Sequence, residues 1–422
     1  MQFFERLGAL IEQRWRDHNY DEEVFSDVSA EALVETDPSA LVDPLDIIRW
    51  VHNTPQLPAQ QDIDARFGNP PVTLYAGPRF YIDAYYWLDG TTAIHQHSFS
   101  GAFQVLTGSS IHSRYDFHVD EEVNARLVVG NTTMRNVELL RQGDVRKIRP
   151  GTEFIHALFH LERPSVTITV RTYHTPKGAP QFSYLKPFIC FDPFFKEQSS
   201  IRKVQTAVLL LKMEYSEADE VIGDLILSSD FHTVFAVLEA AFQQLTSDEL
   251  ERVFHMSTGR ERFAELLAKA RIRHGQLVEL LPPVFDELQR QANIVERRSY
   301  LKDPDQRFLL ALILNVPDRS RVLELVKQRF PGRDPVDTIA DWLCDLGTTK
   351  QLGSSEPNVL GVEDFDDDCL FVLRGLLQGR SQEQISKDTV EQYPAEQASQ
   401  LNADMVHMID SLRASILLRS LL

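Results

Sequence analysis

Two short stretches restrict what this chain can fold into more than any other: IHQHSFSGAFQVLTG, from Ile94 to Gly108, and GDVRKIRPGTEFIHALFH, from Gly143 to His160. In the first, His95 and His97 alternate among apolar and hydroxylated neighbours, so a β-strand directs both imidazoles to one side. Such a strand offers two nitrogen ligands to one metal ion. In the second, the turn signal Pro150-Gly151 precedes an alternating run in which His156, Leu158 and His160 share a face. A third imidazole is therefore available. Strand parity leaves His160 open as its replacement, as a fourth ligand, or as a hydrogen-bonding group behind the ligands.

The texture of the chain around these stretches divides it into four parts. Residues 1–69 read as a helical lead-in, with Phe3, Phe4, Leu7, Leu10, Ile11 and Trp15 along one side of an amphipathic first helix and prolines breaking later elements. Acidic residues on its polar face favour packing on the rest of the protein over a membrane surface. From 70 to 195 short strand-like runs (VTLY, RFYIDAYYWL, GAFQVLTG, SIHSRYDFHV, ARLVVG, DVRKI, SVTITVRTY) follow one another between turn residues, which indicates an all-β barrel or sandwich. Residues 196–350 carry apolar positions at helical spacing, without a fixed repeat. Residues 351–422 read as an acidic linker, GSSEPNVLGVEDFDDD, followed by a smaller helical subdomain.

Composition narrows the function classes. A formal net charge of −19, from 62 acidic and 43 basic side chains, argues against a nucleic-acid or anionic-membrane surface, which needs clustered Lys and Arg. Cys190, Cys344 and Cys369 are too few and too scattered for a disulfide framework or a zinc knuckle and read as buried thiols. With no signal-peptide pattern and no membrane-length apolar run, the expected location is cytoplasmic.

The two histidine stretches resemble the paired motifs of the cupin superfamily. His95, His97 and Gly108 match the first motif, and Gly143, Pro150, Gly151 and His156 match the second; Gly101 stands where the first motif has glutamate. The resemblance implies an α+β multidomain chain, a double-stranded β-helix (cupin) barrel preceded by helices and followed by an all-α domain. It implies a metal held by His95, His97 and His156. Imidazole suits iron, zinc, copper and nickel, so the histidines themselves point to a transition metal.

A closer resemblance, to the cysteine dioxygenase type of thiol dioxygenase, is carried by Trp87, Ile94, His95, His97, His156 and Tyr173 in order and approximate spacing. It implies an iron(II) dioxygenase taking O2 and a small anionic substrate, with a thiol as one form of it, and Tyr173 at the active site. The pattern departs at Arg171, where that family has histidine. Its substrate-carboxylate arginine has only Arg66 and Arg79 as positional counterparts. In SVTITVRTY, residues Thr167, Thr169, Arg171 and Tyr173 share one face, so Arg171, Tyr173 and His160 are the expected catalytic residues arranging substrate and oxygen. Two alternatives stand beside this: a cupin hydrolase, lyase or isomerase using zinc, manganese or nickel, and a non-enzymatic ligand- or metal-sensing barrel. In the last, the helical half binds a protein partner. Gly375, Gly379, Ser381, Ile385, Tyr393 and Leu412 lie where small peptide-chaperone and winged-helix modules place theirs, and that resemblance is the basis for the partner.

Overall fold

The β-region begins where the prolines end, and its winding follows from which strands pair. In the computed structural model, which describes residues 2–63, 67–88, 90–173, 175, 180–246, 258–298, 301–350 and 356–422, it runs from Pro71 to Phe191. Its strands are β1 (Pro71–Ala76), β2 (Phe80–Trp87), β3 (Ile94–His97), β4 (Gly101–Thr107), β5 (Ser109–Asn124), β6 (Leu127–Arg141), β7 (Val145–Ile148), β8 (Gly151–His160), β9 (Ser165–Thr172), β10 (Ser183–Leu185) and β11 (Ile189–Phe191). Antiparallel partners are nested: β2 with β9, β3 with β8, β4 with β7, β5 with β6. Nested pairing is what a long hairpin produces when it coils on itself, so the region is a double-stranded β-helix, the cupin fold. From β2 to β5 and from β6 to β9 successive strands alternate between two sheets, ordered β1-β2-β9-β4-β7 and β10-β11-β6-β5-β8-β3, the second closing on itself through β3 and β10.

The motif glycines are needed where they stand. Gly108 (φ 84°) and Gly151 (φ 69°) hold left-handed backbone that side chains other than glycine adopt only under strain. At Gly101 the constraint is space: a Cβ there would collide with the carbonyl oxygen of Val170 on β9. The glutamate of the first cupin motif is thus excluded sterically, because β4 and β9 approach too closely for any side chain.

The first helix, Gln2–Asp17, lays Phe4, Leu7, Ile11 and Trp15 on the outer face of the five-stranded sheet, against Phe80, Ile82, Ile168 and Val170. This explains why β2, FYIDAYYW, is buried along its whole length: one face is covered by helices, the other looks into the barrel.

The helices after Gln198 form two cores, each completed by strand residues. Helices between Gln198 and Arg297 bury Phe231, Phe235 and Phe285 with Leu127, Val129 and Ile189. The second core runs from Ile294 to Leu421 and takes in Ile111, Val137, Phe159 and Leu161 of the barrel. Packing therefore groups the helices across position 350 and changes cores within the helix Leu281–Arg297. In its described part the acidic stretch buries Val359, Leu360 and Val362, with Arg297 Nε donating to the Val359 carbonyl, while Glu363, Asp364, Asp366 and Asp367 stay exposed. Its residues 353–355 lie outside the described residues. Arginines fasten the seam with the barrel; Arg298 donates to the carbonyls of Gly90 and His160, and Arg329 to Ser109 Oγ. No described helix is long and apolar enough to cross a membrane. Cys190 and Cys369 are buried and Cys344 half-buried, all as free thiols.

Candidate metal centre

Strand β3 is four residues long and supplies two of the three donors because its alternation directs His95 and His97 into the barrel. Strand β8 pairs with it at His95↔His156, which carries the third imidazole to the same place. The ligand-capable nitrogens of the three lie within 4.8 Å of one another. His97 Nε2 and His156 Nε2 are 2.9 Å apart, and His95 Nδ1 is 2.8 Å from the Ala93 carbonyl, which leaves His95 Nε2 for the centre. His97 Nδ1 is buried with no hydrogen-bond partner among the described residues.

Electrostatics keep the set ready to ligate. Burial lowers the pKa of His95, and lowers those of His97 and His156 well below the ordinary imidazole value, with the neighbouring imidazoles adding to it. Neutral imidazole is the form with a free lone pair. Three converging neutral donors, one with an orphaned second nitrogen, fit a transition-metal ion. Bound there, such an ion would supply Lewis acidity and open coordination positions facing the cavity.

Behind His156 stands a chain that strand parity alone did not disclose. His156 Nδ1 lies 3.1 Å from His112 Nε2, and His112 Nδ1 lies 2.9 Å from Glu138 Oε1. Arg146 of β7 grips the same carboxylate, Nε to Oε1 at 2.9 Å and Nη2 to Oε2 at 2.7 Å. Burial pushes the Glu138 pKa up, but the bonds from Arg146 and His112 outweigh it and hold it at about 2. His112 and Glu138 are direct cross-strand partners on β5 and β6. That pairing depends on bulges no local pattern reveals, although an imidazole in the alternation of SIHSRYDFHV was a visible hint.

The centre opens on a cavity of about 800 Å³ between the sheets. Its opposite wall comes from β2 and β9: Tyr85, Trp87, Thr167, Thr169 and Arg171. The expected polar face of β9 therefore holds as far as Arg171. That guanidinium is loosely matched, with Nη1 3.4 Å from Tyr85 Oη and 3.5 Å from Asp62 Oδ2, while Nε has no partner among the described residues. Its carbon lies 3.7 Å from the centroid of the Phe99 ring. Tyr85 donates to Asp83 at 3.0 Å, a carboxyl that burial raises to about 6 against the hydrogen bonds it accepts.

Two expected site residues stand elsewhere. Strand β9 ends at Thr172, and Tyr173 leaves its face: 40% exposed, it donates to the Gly77 carbonyl and packs against Tyr81, outside the cavity lining. His160 is fully buried, bonded to Ser110 Oγ at 2.9 Å and stacked on Trp87, and does not join the converging donors. Burial and then Arg298 lower its pKa to about 3. Of the two candidate carboxylate-binding arginines, Arg79 lies over the Tyr20 ring beside the N-terminal helix, and Arg66 lies outside the described residues.

No protein-family model matches the chain, and no curated protein matches it. Among solved structures it is similar to an uncharacterized conserved protein with a double-stranded beta-helix domain from Klebsiella pneumoniae, at 14% identity over 29% of this chain and 95% of that one, TM-score 0.19. It is also similar to a chain from a structure of DMSP lyases, at 14% identity over 40% of this chain and 93% of that one, TM-score 0.22. Neither likeness extends the chemistry read from the residues. The strand pairing and the histidine cluster together define a cupin-fold protein with a three-histidine group able to hold a metal ion.

Proposed function

We propose that the protein is a mononuclear non-haem iron dioxygenase acting on a small anionic substrate, a thiol first among them. The observation that carries this reading is the all-imidazole donor set facing, across the cavity, a largely buried guanidinium whose Nε has no partner among the described residues. Without a carboxylate ligand a divalent ion keeps its full double charge, which favours an anionic, chelating substrate. A buried arginine left short of partners costs stability, and a substrate carboxylate would remove that cost. In this reading Arg171 binds and orients the anion, Tyr85 hydrogen-bonds it alongside, and Phe99, Phe103 and Leu158 exclude water. Iron(II) in this set would supply the redox chemistry that puts both oxygen atoms of O2 on the substrate, so no external reductant is required.

The test is metal analysis of protein purified without added metal, followed by oxygen uptake against a panel of small thiols. Near-stoichiometric iron with thiol-dependent uptake supports the reading; iron without uptake for any thiol, carboxylate or enolisable acid overturns it. A second reading draws on one observation, that Tyr173 stands outside the cavity while Tyr85, which donates to Asp83, stands on its wall. That arrangement suits a zinc-, manganese- or nickel-dependent lyase, hydrolase or isomerase in which Tyr85 moves a proton. Zinc, manganese or nickel in place of iron would transfer the weight to it. The helical half as a docking platform for a protein partner is retained only as a proposal, tested by co-purification with and without the helices after Gln198.

A further inference from the structure

The three candidate ligands are backed in three different ways. His95 Nδ1 meets a backbone carbonyl, His97 Nδ1 meets nothing among the described residues, and His156 Nδ1 meets the His112–Glu138–Arg146 chain. The direction of that chain follows from which groups are able to donate. A carboxylate gripped twice by a guanidinium is ionised and only accepts. His112 must therefore carry its proton on Nδ1 and present Nε2 as an acceptor. His156 must then carry its proton on Nδ1, leaving the Nε2 lone pair toward the cavity. At 2.9 Å, His97 Nε2 converges on the same point from β3.

We infer that Glu138 and His112 are positioning residues for the metal centre: they hold His156 in its ligating tautomer before any ion arrives and make it a stronger donor. The inference rests on the reading of His95, His97 and His156 as metal ligands. It adds a distinction among them: His156 is prepared by side chains, His95 is fixed by a carbonyl, and His97 has no partner behind it among the described residues. Groups that orient a metal-binding imidazole from behind typically change metal affinity about 10–100-fold when removed. Arg146 acts one step further out by keeping Glu138 ionised, and because it comes from β7 of the other sheet it ties the two walls of the barrel together.

Two measurements decide it. In metal-free protein labelled with 15N-histidine, long-range 1H–15N correlation spectra should show His112 and His156 as Nδ1–H tautomers; His156 found as Nε2–H overturns the inference outright. In parallel, cobalt(II) titrations followed by visible absorption should give a dissociation constant raised about 10–100-fold in Glu138→Gln and in His112→Phe. His112→Gln, whose side-chain carbonyl can accept from His156 Nδ1–H, should recover part of the loss. Wild-type affinity in both Glu138→Gln and His112→Phe, with circular dichroism showing them folded, also overturns it. If His112→Phe does not fold, Glu138→Gln decides, since Glu138 sits at the barrel edge with 25% of its side chain exposed. Cobalt(II) binding that survives in His95→Ala/His97→Ala would instead overturn the three-histidine reading, and the tautomer spectra would still decide the chain.

Discussion

The barrel and the helical half bury polar groups in opposite ways. In the helices, several short buried polar side chains bond to carbonyls four residues away: Thr338 to Asp334, Asn315 to Ala311, Thr389 to Ile385, and Asn358 to Val362; Arg297 and Ser415 reach farther, to the Val359 and Leu360 carbonyls. In the barrel, buried polar side chains bond to one another across long sequence separations: Trp87 to Thr167, Tyr184 to Gln96, and His156 to His112 to Glu138. Some of the barrel's groups are left incomplete at the cavity, as His97 Nδ1 and Arg171 Nε show. Bonding a nearby carbonyl satisfies a group and asks nothing further of it. A side-chain network with incomplete members carries a desolvation cost that is repaid only when something else arrives. The histidine cluster and its cavity belong to the barrel, and the helices supply two apolar cores completed by its strand residues.

The contrast can be broken most severely at the centre itself. His95→Ala/His97→Ala should abolish metal content by elemental analysis while far-ultraviolet circular dichroism stays that of the wild type; loss of the helical signal would mean that the two halves are one unit of stability. Next in size, Phe285→Ala in the first helical core should cost about 3–5 kcal/mol in urea unfolding. Metal affinity per folded molecule should not change, because Phe285 is fully buried among helical residues. A parallel fall in affinity would erase the division of labour.

On the cavity's far wall, Arg171→Met should raise KM about 10–100-fold for whichever anion the uptake panel identifies, the equivalent of one charged hydrogen bond, with metal content unchanged. Acid sharpens the comparison further. His160 has a pKa of about 3 in the folded protein against an ordinary 6.5 unfolded, so the unfolded chain binds the extra proton as pH drops. Stability is therefore full above pH 6.5 and falls toward pH 3, by about 2 kcal/mol at pH 5 from this group alone. His95, His97, His112 and His156 are lowered as well and act in the same sense. Asp83, raised to about 6, gains in the folded form and offsets part of the loss. Melting of the metal-free protein between pH 7 and 5 should show a net fall in Tm; a flat profile would mean that the barrel's buried imidazoles are not held neutral. The smallest effect is expected at Tyr173. Tyr173→Phe should leave turnover within a factor of about two, whereas Tyr85→Phe should reduce it by about ten, in the range of a positioned hydrogen bond. The reverse result would restore Tyr173 to the site.

Local alternation determined much of this protein in advance. Period-two placement of His95 and His97, the Pro150-Gly151 turn and the face shared by Thr167, Thr169 and Arg171 follow from neighbours one or two residues apart, which a β-strand orients the same way wherever it lies. The convergence of the three histidines was legible for that reason, as was the order of helices, barrel and helices. What parity does not contain is where a strand stops or what faces it. Tyr173 kept the parity of Arg171 but lies past the end of β9, so its side chain went elsewhere. Gly101 reads in the sequence as a missing glutamate, and only the approach of Val170 shows that no side chain fits. Glu138 reaches His112 through a hairpin register shifted by bulges, and the core that joins Ile294 to Leu421 passes through a stretch whose acidic composition suggested a solvated linker. Those outcomes depend on contacts between segments far apart in the chain, and tertiary packing alone decided them.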